Sequence, residues 1–511
     1  MAFFETLLML LFVAIVLLQV ARRFAVPYPT MLAIAGVVAG LLPWAPHMMI
    51  EPELALALFI APALLDSAFD LPPRELRRHW RPLVALAGVA VIITTAAVAW
   101  TAVKMVGMPI AAAIALGAIV APPDAAAAAA MLARFQLPRR MVSVLKGESL
   151  LNDGVALLIF AGAVSVVTAD GSSSELIPQL ALAVPGGLLL GFLMGLVLAW
   201  MMRWMRGTLS GTLLGFVSTF GAWIIAEHLH LSAILCVVAY GMTIAHLLPA
   251  RTPPRERVST YAVWEAVVFL LNVLAFFLMG LQASEIIGRL NPSEIWDALG
   301  FATAVFGVVV AVRVAWVMFY MQANLFSNVK KSRKALTKHA LLVSWCGMRG
   351  LVTLATAMSL PASFPQRDLI VLSAFAVVLG TLAVQGLTLG PVIQLLKFPP
   401  DNSFGQELAA ARVQLLDAAE ESMAGRNDAH ARRLRETYDE DRKIAAAGNH
   451  PREVGAFDAL RRQNIAAKRT KLAQLRHSGT IDDDVFHALE LELDWAELAA
   501  SSPHRVELEE S

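Results

Sequence analysis

Charged residues are scarce in this chain. Only 16% of its 511 residues are Asp, Glu, Lys or Arg, while 58% are hydrophobic. Soluble globular domains carry about 25% charged residues, so the composition excludes an ordinary soluble domain and indicates a membrane protein. Cysteine is rarer still, because Cys236 and Cys346 are the only two and both lie in apolar runs. Two such thiols are expected to pack against neighbours rather than to form a disulfide or bind a metal.

Other absences narrow the range of functions. The chain has no nucleotide-binding motif, so an ion gradient is the expected energy source for any transport. None of its 11 histidines is placed as the acid–base group of a membrane enzyme would be, and no filter-like repeat suggests a channel. We therefore expect a secondary transporter and not an enzyme, with no cofactor and no nucleic-acid partner.

The charge that is present divides the chain into two domains. Residues 1–397 carry a net charge of +8 and residues 398–511 a net charge of −7. The sequence predicts a transmembrane domain over 1–397 and a cytoplasmic helical domain over 398–511. Helical periodicity marks three stretches of this tail, residues 408–416, 459–475 and 482–498. The pattern leaves open whether the tail regulates the protein, contacts a second copy or is a solvated helical hairpin.

Thirteen apolar stretches approach the roughly 20 residues that a membrane span needs. They are residues 3–21, 28–46, 53–70, 83–103, 109–131, 142–168, 177–202, 209–227, 231–249, 262–283, 299–322, 336–360 and 368–396. Every second loop is basic, and these loops with the adjoining helix ends hold 20 Lys and Arg residues against 3 in the others. Cytoplasmic loops are enriched in Lys and Arg. The sequence therefore predicts a multi-pass protein of the inner (plasma) membrane, with the N-terminus outside and the tail in the cytoplasm.

Two of these spans contain helix breakers near their middles. The fifth contains Pro122 and Pro123 in GAIVAPPDAAAAAA, and the twelfth contains Gly347 and Gly350 in SWCGMRGLVTLATA. Proline removes a backbone donor and glycine weakens helical structure. Paired interruptions at corresponding positions are typical of transporters built from inverted repeats. We expect an all-α fold of about 13 transmembrane helices in two inverted six-helix repeats with two interrupted, crossing helices.

The sixth span carries the polar groups that indicate a function. Glu148, Asn152 and Asp153 lie in GESLLNDGVAL, inside an otherwise apolar run. A carboxylate in the membrane costs at least about 2.5–3.5 kcal/mol, so it is rarely placed there without a function. Burial disfavours the charged form of a carboxylate, so that a proton and a cation compete for Asp153. The neutral amide of Asn152 can orient the carboxylate or a bound ion without adding charge.

Further charges are expected at the same depth. Asp66 in the third span and Asp124 at the break of the fifth supply hard oxygen atoms, which suit alkali cations. Glu148 needs a partner if it stays ionised, and Arg349 is the only arginine in the second broken helix. Arg313, deep in the eleventh span, is also expected to be paired, and a direct role in transport is the alternative. These patterns predict an ion pathway.

The motifs GESLLNDGVAL, PALLDSAF, GAIVAPPD, FFLMGLQ, RVAWV and SWCGMRGLVTLA together resemble those of sodium–proton antiporters of the NhaP/NHE type. The resemblance covers most of residues 1–397 and implies the NhaA-like antiporter fold and a homodimer. It implies that Asp153 is the site of cation and proton exchange and that Glu148 pairs with Arg349. Members with an Asn-Asp pair are generally electroneutral, which implies one-for-one exchange of H+ for Na+, with Li+ or K+ left open.

We place the cation at Asp153, with Asn152, Asp66, Asp124 and Ser149 as its candidate ligands. One departure from the family pattern affects selectivity. The usual fifth-span motif is Thr-Asp-Pro, whereas this chain has Pro123 before Asp124, and therefore lacks the hydroxyl that would help to coordinate the ion. The alternative function is sodium-coupled symport of an organic anion. A symporter needs a larger cavity and gives no reason for the Asn-Asp pair.

Overall fold

The computed structural model describes residues 28–41, 52–69, 80–124, 139–168, 176–205, 209–248, 252–289, 292–323, 333–398, 403–426, 428–446, 451–478, 480 and 483–499, with isolated positions between 12 and 23. Every regular element within these ranges is helical. The chain divides into two compact units, Met1–Pro399 and Pro400–Ser511.

The first unit is a bundle of apolar helices. They are α1 (Tyr28–Gly40), α2 (Pro52–Phe69), α3 (Trp80–Leu83), α4 (Ala90–Val106), α5 (Ile110–Val120), α6 (Arg139–Thr168), α7 (Leu176–Met201), α8 (Leu209–His228), α9 (Ala233–Leu247), α10 (Pro254–Arg289), α11 (Pro292–Ala323), α12 (Arg333–Trp345), α13 (Leu351–Met358), α14 (Arg367–Thr381) and α15 (Leu387–Leu396). Two π-helical segments, Val84–Val89 and Leu382–Gly386, join α3 to α4 and α14 to α15.

Six segments within the described residues are long and apolar enough to cross a membrane. They are Val84–Val106, Gly147–Val167, Leu182–Met201, Glu256–Gly288, Ile295–Ala323 and Arg367–Leu396. Four shorter apolar helices accompany them, Tyr28–Gly40, Leu56–Phe69, Ile110–Val120 and Ala233–Leu247. The predicted span 3–21 lies mostly outside the described residues. Multi-pass helical membrane architecture therefore holds for the first unit.

Local sequence explains where several helices begin and end. Helices α2, α10 and α11 begin at Pro52, Pro254 and Pro292, because the first helical turn does not use the N–H that proline lacks. At the start of α9, Ser232 accepts a hydrogen bond from the Leu235 N–H at 3.4 Å. Helix α4 ends at Gly107, whose φ of +61° is the left-handed conformation that glycine adopts without strain. Since α10 starts at its proline, it is longer than the apolar run 262–283 alone indicated.

Helices α1 and α10 pack with their backbones in contact. Gly36 lies against Gly280, and a Cβ built on Gly280 would meet the Gly36 Cα at 2.8 Å. One turn further along, Gly40 lies against the side chain of Ser284. Small residues four apart on both helices let two membrane helices approach this closely. The contact therefore fixes α1 beside α10.

Gly280→Ala is expected to lower the melting temperature in detergent, because the added methyl group has no space between the two backbones. Overpacking of this kind costs about 1–3 kcal/mol. Gly307→Ala on α11 is the matched control, since a Cβ there meets no atom within 4 Å. The measurement is thermal unfolding of the purified proteins. Equal melting temperatures for the two variants would contradict the close α1–α10 contact.

The second unit consists of four helices, α16 (Ser403–Glu421), α17 (Ala429–Ala446), α18 (Pro451–His477) and α19 (Asp483–Ala499). Consecutive helices contact each other within the pairs α16–α17 and α18–α19. Arg442 bonds Asp417 at 2.7 Å across the first pair, and Arg469 bonds Glu497 at 2.8 Å across the second. Helices α16 and α18 contain the predicted stretches 408–416 and 459–475, and α19 contains the stretch 482–498 except residue 482, which lies outside the described residues. Helix α17 was not predicted, because half of its residues are charged and few are apolar.

Candidate ion-transport site

Two interrupted helices meet at the centre of the first unit. Helix α5 ends at Val120, and residues 121–124, which include Pro122 and Pro123, are not helical. Helix α12 ends at Trp345, residues 346–350 are not helical, and α13 follows. The Asp124 N–H donates a hydrogen bond to the Met348 carbonyl at 2.7 Å. The N–H group of one interruption is thus paired with a carbonyl group of the other. Such pairing is needed because backbone groups inside a membrane cannot bond to water.

Asp124 caps the start of α13. Its carboxylate accepts a hydrogen bond from the N–H of Leu351, the first residue of that helix, at 3.3 Å. A negative charge is stabilised there by the positive end of the helix dipole. Gly350 lies directly against the same carboxylate, and a Cβ at position 350 would collide with it. The glycine is therefore needed because a charged group from the other broken helix occupies the space.

Arg349 caps the end of α5. Its guanidinium donates to the carbonyls of Val120 at 3.0 Å and Ala121 at 3.2 Å, and also to its own Gly347 carbonyl. A cation is stabilised at the negative end of a helix. The Arg349 N–H donates to the Thr381 hydroxyl at 3.0 Å, and the side chain is 1% exposed. Arg349 and Asp124 thus neutralise opposite helix ends at the crossing.

Glu148 pairs with Arg313, and the predicted pairing with Arg349 is corrected accordingly. The Glu148 carboxylate and the Arg313 guanidinium are 2.5 Å apart, and the two side chains are 1% and 5% exposed. Arg349 is near enough to be influenced by the charge of Glu148. Its donors, however, are bonded to carbonyls at the end of α5. Gly347 lies directly against Arg313, so its missing side chain leaves room for the arginine that enters from α11.

Asp153 is a buried carboxylate for which the described residues supply no partner. It is 6% exposed, and no hydrogen bond or ion pair reaches it from the described residues. The carboxylate of Asp124 repels it. Asn152 is fully buried and donates to the Pro123 carbonyl at 3.4 Å, while its own carbonyl oxygen has no partner in the described part of the chain. The Asp153 carboxylate and the Asn152 carbonyl oxygen, both on α6, thus find no donor among the described residues, and the second carboxylate oxygen of Glu148 also has none there.

The remaining predicted ligands lie in more open positions. Asp66 is exposed near the end of α2, and Ser149 is half-buried on α6. Leu150, which follows Ser149, packs in the same apolar cluster as Leu64 and Leu65 of α2. The two helices that carry Asp66 and Ser149 are therefore in contact. The buried cluster itself consists of Glu148, Asn152 and Asp153 of α6, Arg313 of α11, and Asp124 and Arg349 of the broken helices.

Sequence reasoning missed Thr381 and did not identify the partner of Arg313. Thr381, which holds the Arg349 backbone, lies in an apolar span where a threonine carries no signal of its own. Arg313 was expected to be paired, but its partner was not identified. An intramembrane arginine needs an acid, and with two arginines and one glutamate in these spans the pattern could not decide between them.

Apolar helices that surround two interrupted, crossing helices with buried charges define a helical membrane transporter for ions. The family model described as sodium/hydrogen exchanger, transmembrane, matches residues 8–395. This chain belongs to the sodium/hydrogen exchanger family. As a member it is a cation:proton antiporter, a transporter and not an enzyme, and the symporter alternative is not supported.

Individual relatives agree with this assignment. The chain is 30% identical to an "uncharacterized Na+/H+ exchanger" of Mycobacterium tuberculosis over 94% of its own length and 93% of that protein. It is 27% identical to a "sodium, potassium, lithium and rubidium/H+ antiporter" of Bacillus subtilis, over 98% of its length and 78% of the relative. The solved sodium proton antiporter MjNhaP1 from Methanocaldococcus jannaschii superimposes with a TM-score of 0.59 at 18% identity. That match covers 78% of this chain and all of the neighbour, which shows a common fold.

Proposed function

We propose that this antiporter exchanges one Na+ for one H+ and that Asp153 is the group that carries each in turn. The observation on which the proposal rests is the charge balance of the buried cluster. Glu148 is balanced by Arg313, and Asp124 and Arg349 carry opposite charges at the crossing. Within the described cluster, Asp153 alone adds an unbalanced negative charge. A single proton or a single monovalent cation makes the cluster neutral.

The groups around Asp153 are proposed to complete the cation site. The carbonyl oxygen of Asn152, which has no partner among the described residues, is a neutral oxygen ligand. Asp124, Asp66 and Ser149 are proposed to supply further oxygens. Such a ligand set suits an alkali cation. Because position 152 is a neutral amide, only one carboxylate of the Asn-Asp pair changes its charge in each cycle. The exchange is therefore electroneutral.

The packing supports a transporter of two inverted six-helix repeats with about 13 spans, the NhaA-like fold. If the second repeat begins at α8, the contact of α1 with α10 has its counterpart in the contact of α9 with α2. The contact of α4 with α5 is likewise matched by that of α11 with α12. Helix α4 also contacts α11, and the broken helix α5 contacts α13. In each case the two helices occupy equivalent positions in the two repeats.

Orientation and assembly complete the proposal. The basic residues of alternate loops support an N-terminus outside and a cytoplasmic tail in the inner membrane. A homodimer is proposed from the family resemblance, with pH and cation homeostasis as the physiological role. The Bacillus relative is named for four cations, and this chain has Pro123 where a hydroxyl is usual. Li+ and K+ are therefore candidates beside Na+.

Purified protein in liposomes is expected to collapse an imposed pH gradient when Na+ is added, at a rate independent of the membrane potential. The measurement is recovery of a pH-sensitive dye after addition of Na+, Li+ or K+, with the potential clamped at several values. A rate that follows the potential would show that net charge moves and that Asp66 or Asp124 also changes its charge. No response to any of the three cations would contradict antiport of monovalent cations.

A further inference from the structure

Gln385 is a buried polar residue for which the antiport site gives no role. It lies in the π-helical segment Leu382–Gly386, between α14 and α15, and is 1% exposed. Neither its amide nitrogen nor its amide oxygen has a hydrogen-bond partner in the described part of the chain. A buried amide that leaves both groups unpaired is unfavourable, so such groups normally bind ordered water.

The contacts of α12 with the last span place Gln385 beside the interruption at residues 346–350. The Arg349 N–H bonds Thr381, and the Trp345 ring N–H bonds the Thr388 hydroxyl at 2.8 Å. Further along, Lys338 donates to the Leu396 carbonyl at 2.7 Å, so the two segments run antiparallel. Gln385 is four residues after Thr381 and three before Thr388, so it lies on the helix face that carries both contacts.

We propose that Gln385 binds an internal water molecule against the interrupted segment 346–350 and thereby positions Arg349 for transport. The interruption leaves peptide groups without helical partners, and a water molecule held by an amide can pair with them. The π-helical segment supports this role, since such segments are frequent at functional sites. Gln385 is a positioning residue, because it acts on the broken helix and not on the ion.

Gln385→Leu is expected to remove the water and to lower the maximal exchange rate several-fold at an unchanged half-saturating cation concentration. Gln394→Leu is the matched control, since Gln394 lies on the following helix and is exposed. A merely structural role would lower yield and melting temperature but not the rate per folded molecule. An unchanged maximal rate, or an altered half-saturating concentration, would overturn the proposal.

The water can be detected directly by hydroxyl-radical labelling during brief X-ray exposure, read by mass spectrometry. Cys346 and Met348 are only 2% and 1% exposed, so an adjacent internal water is needed to oxidise them quickly. We expect rapid labelling in the wild type and in Gln394→Leu and several-fold slower labelling in Gln385→Leu. Slow labelling in the wild type, or equal labelling in Gln385→Leu, would overturn the proposal. If Gln385→Leu does not fold, Gln385→Met, which fills a similar volume without an amide, carries the same test.

Discussion

Asp153→Asn is expected to reduce sodium-driven proton movement to the rate of protein-free liposomes. The substitution keeps the shape of the side chain but removes the group that holds either a proton or a cation. Folding should be preserved, because Asp153 has no ion-pair partner among the described residues and is repelled by Asp124. A neutral amide relieves both that repulsion and the cost of burying a charge. The melting temperature should therefore equal or exceed that of the wild type.

Asp368→Asn serves as the control for this experiment. Asp368 is an exposed carboxylate at the start of α14, 3.8 Å from Arg367, so its loss should leave exchange unchanged. Retained sodium-dependent proton movement in Asp153→Asn would contradict the role of Asp153. If Asp153→Asn were inactive only because it did not fold, its melting temperature would fall, and the two cases are thereby separated.

Much of the fold follows from features that act locally along the chain. The apolar runs predict the spans because helical backbone satisfies its own hydrogen bonds in the membrane. Pro122 and Gly347 predict the interruptions because proline lacks the backbone N–H of a helical hydrogen bond and glycine weakens helical structure. The π-helical segments were not predicted, since an extra residue in a helical turn leaves the apolar pattern almost unchanged. Helix α17 was missed because half of its residues are charged and few apolar residues mark its buried face.

The choice of partners inside the site could not be read from the sequence in the same way. The polar residues of the sixth span can be identified from the sequence, because polar groups in an apolar membrane span are energetically costly and are rarely present without a function. Which arginine meets Glu148 depends on the crossing of α5 with the second broken helix. That crossing brings Arg349 to the carbonyls at the end of α5, where the helix dipole favours a cation. Arg313 of α11 is then the arginine that pairs with Glu148. The spacing of residues along the chain does not indicate which of the two arginines does so.

The Glu148–Arg313 pair should give a strong coupling in a double-mutant cycle. Removing one partner of a buried pair costs about 3–5 kcal/mol, because the other charge stays buried and unpaired. Glu148→Gln and Arg313→Met should each lower the free energy of unfolding by such an amount, and the double variant should recover part of the loss. Residues in direct contact typically couple by about 0.5–3 kcal/mol. The measurement is unfolding in mixed detergent micelles.

A second double-mutant cycle serves as the control, with Arg349→Met in place of Arg313→Met. Arg349 bonds the carbonyls of Val120 and Ala121, so its loss removes a helix cap and not the partner of Glu148. The coupling energy between Arg349→Met and Glu148→Gln should therefore be smaller than that between Arg313→Met and Glu148→Gln. It arises only from the electrostatic interaction of the two charges, without a direct contact. Additive losses for Glu148 and Arg313, together with strong coupling of Glu148 to Arg349, would restore the pairing that the family resemblance implies. The stronger coupling to Arg313 would instead assign Arg349 to the crossing, where it stabilises the broken helices during exchange.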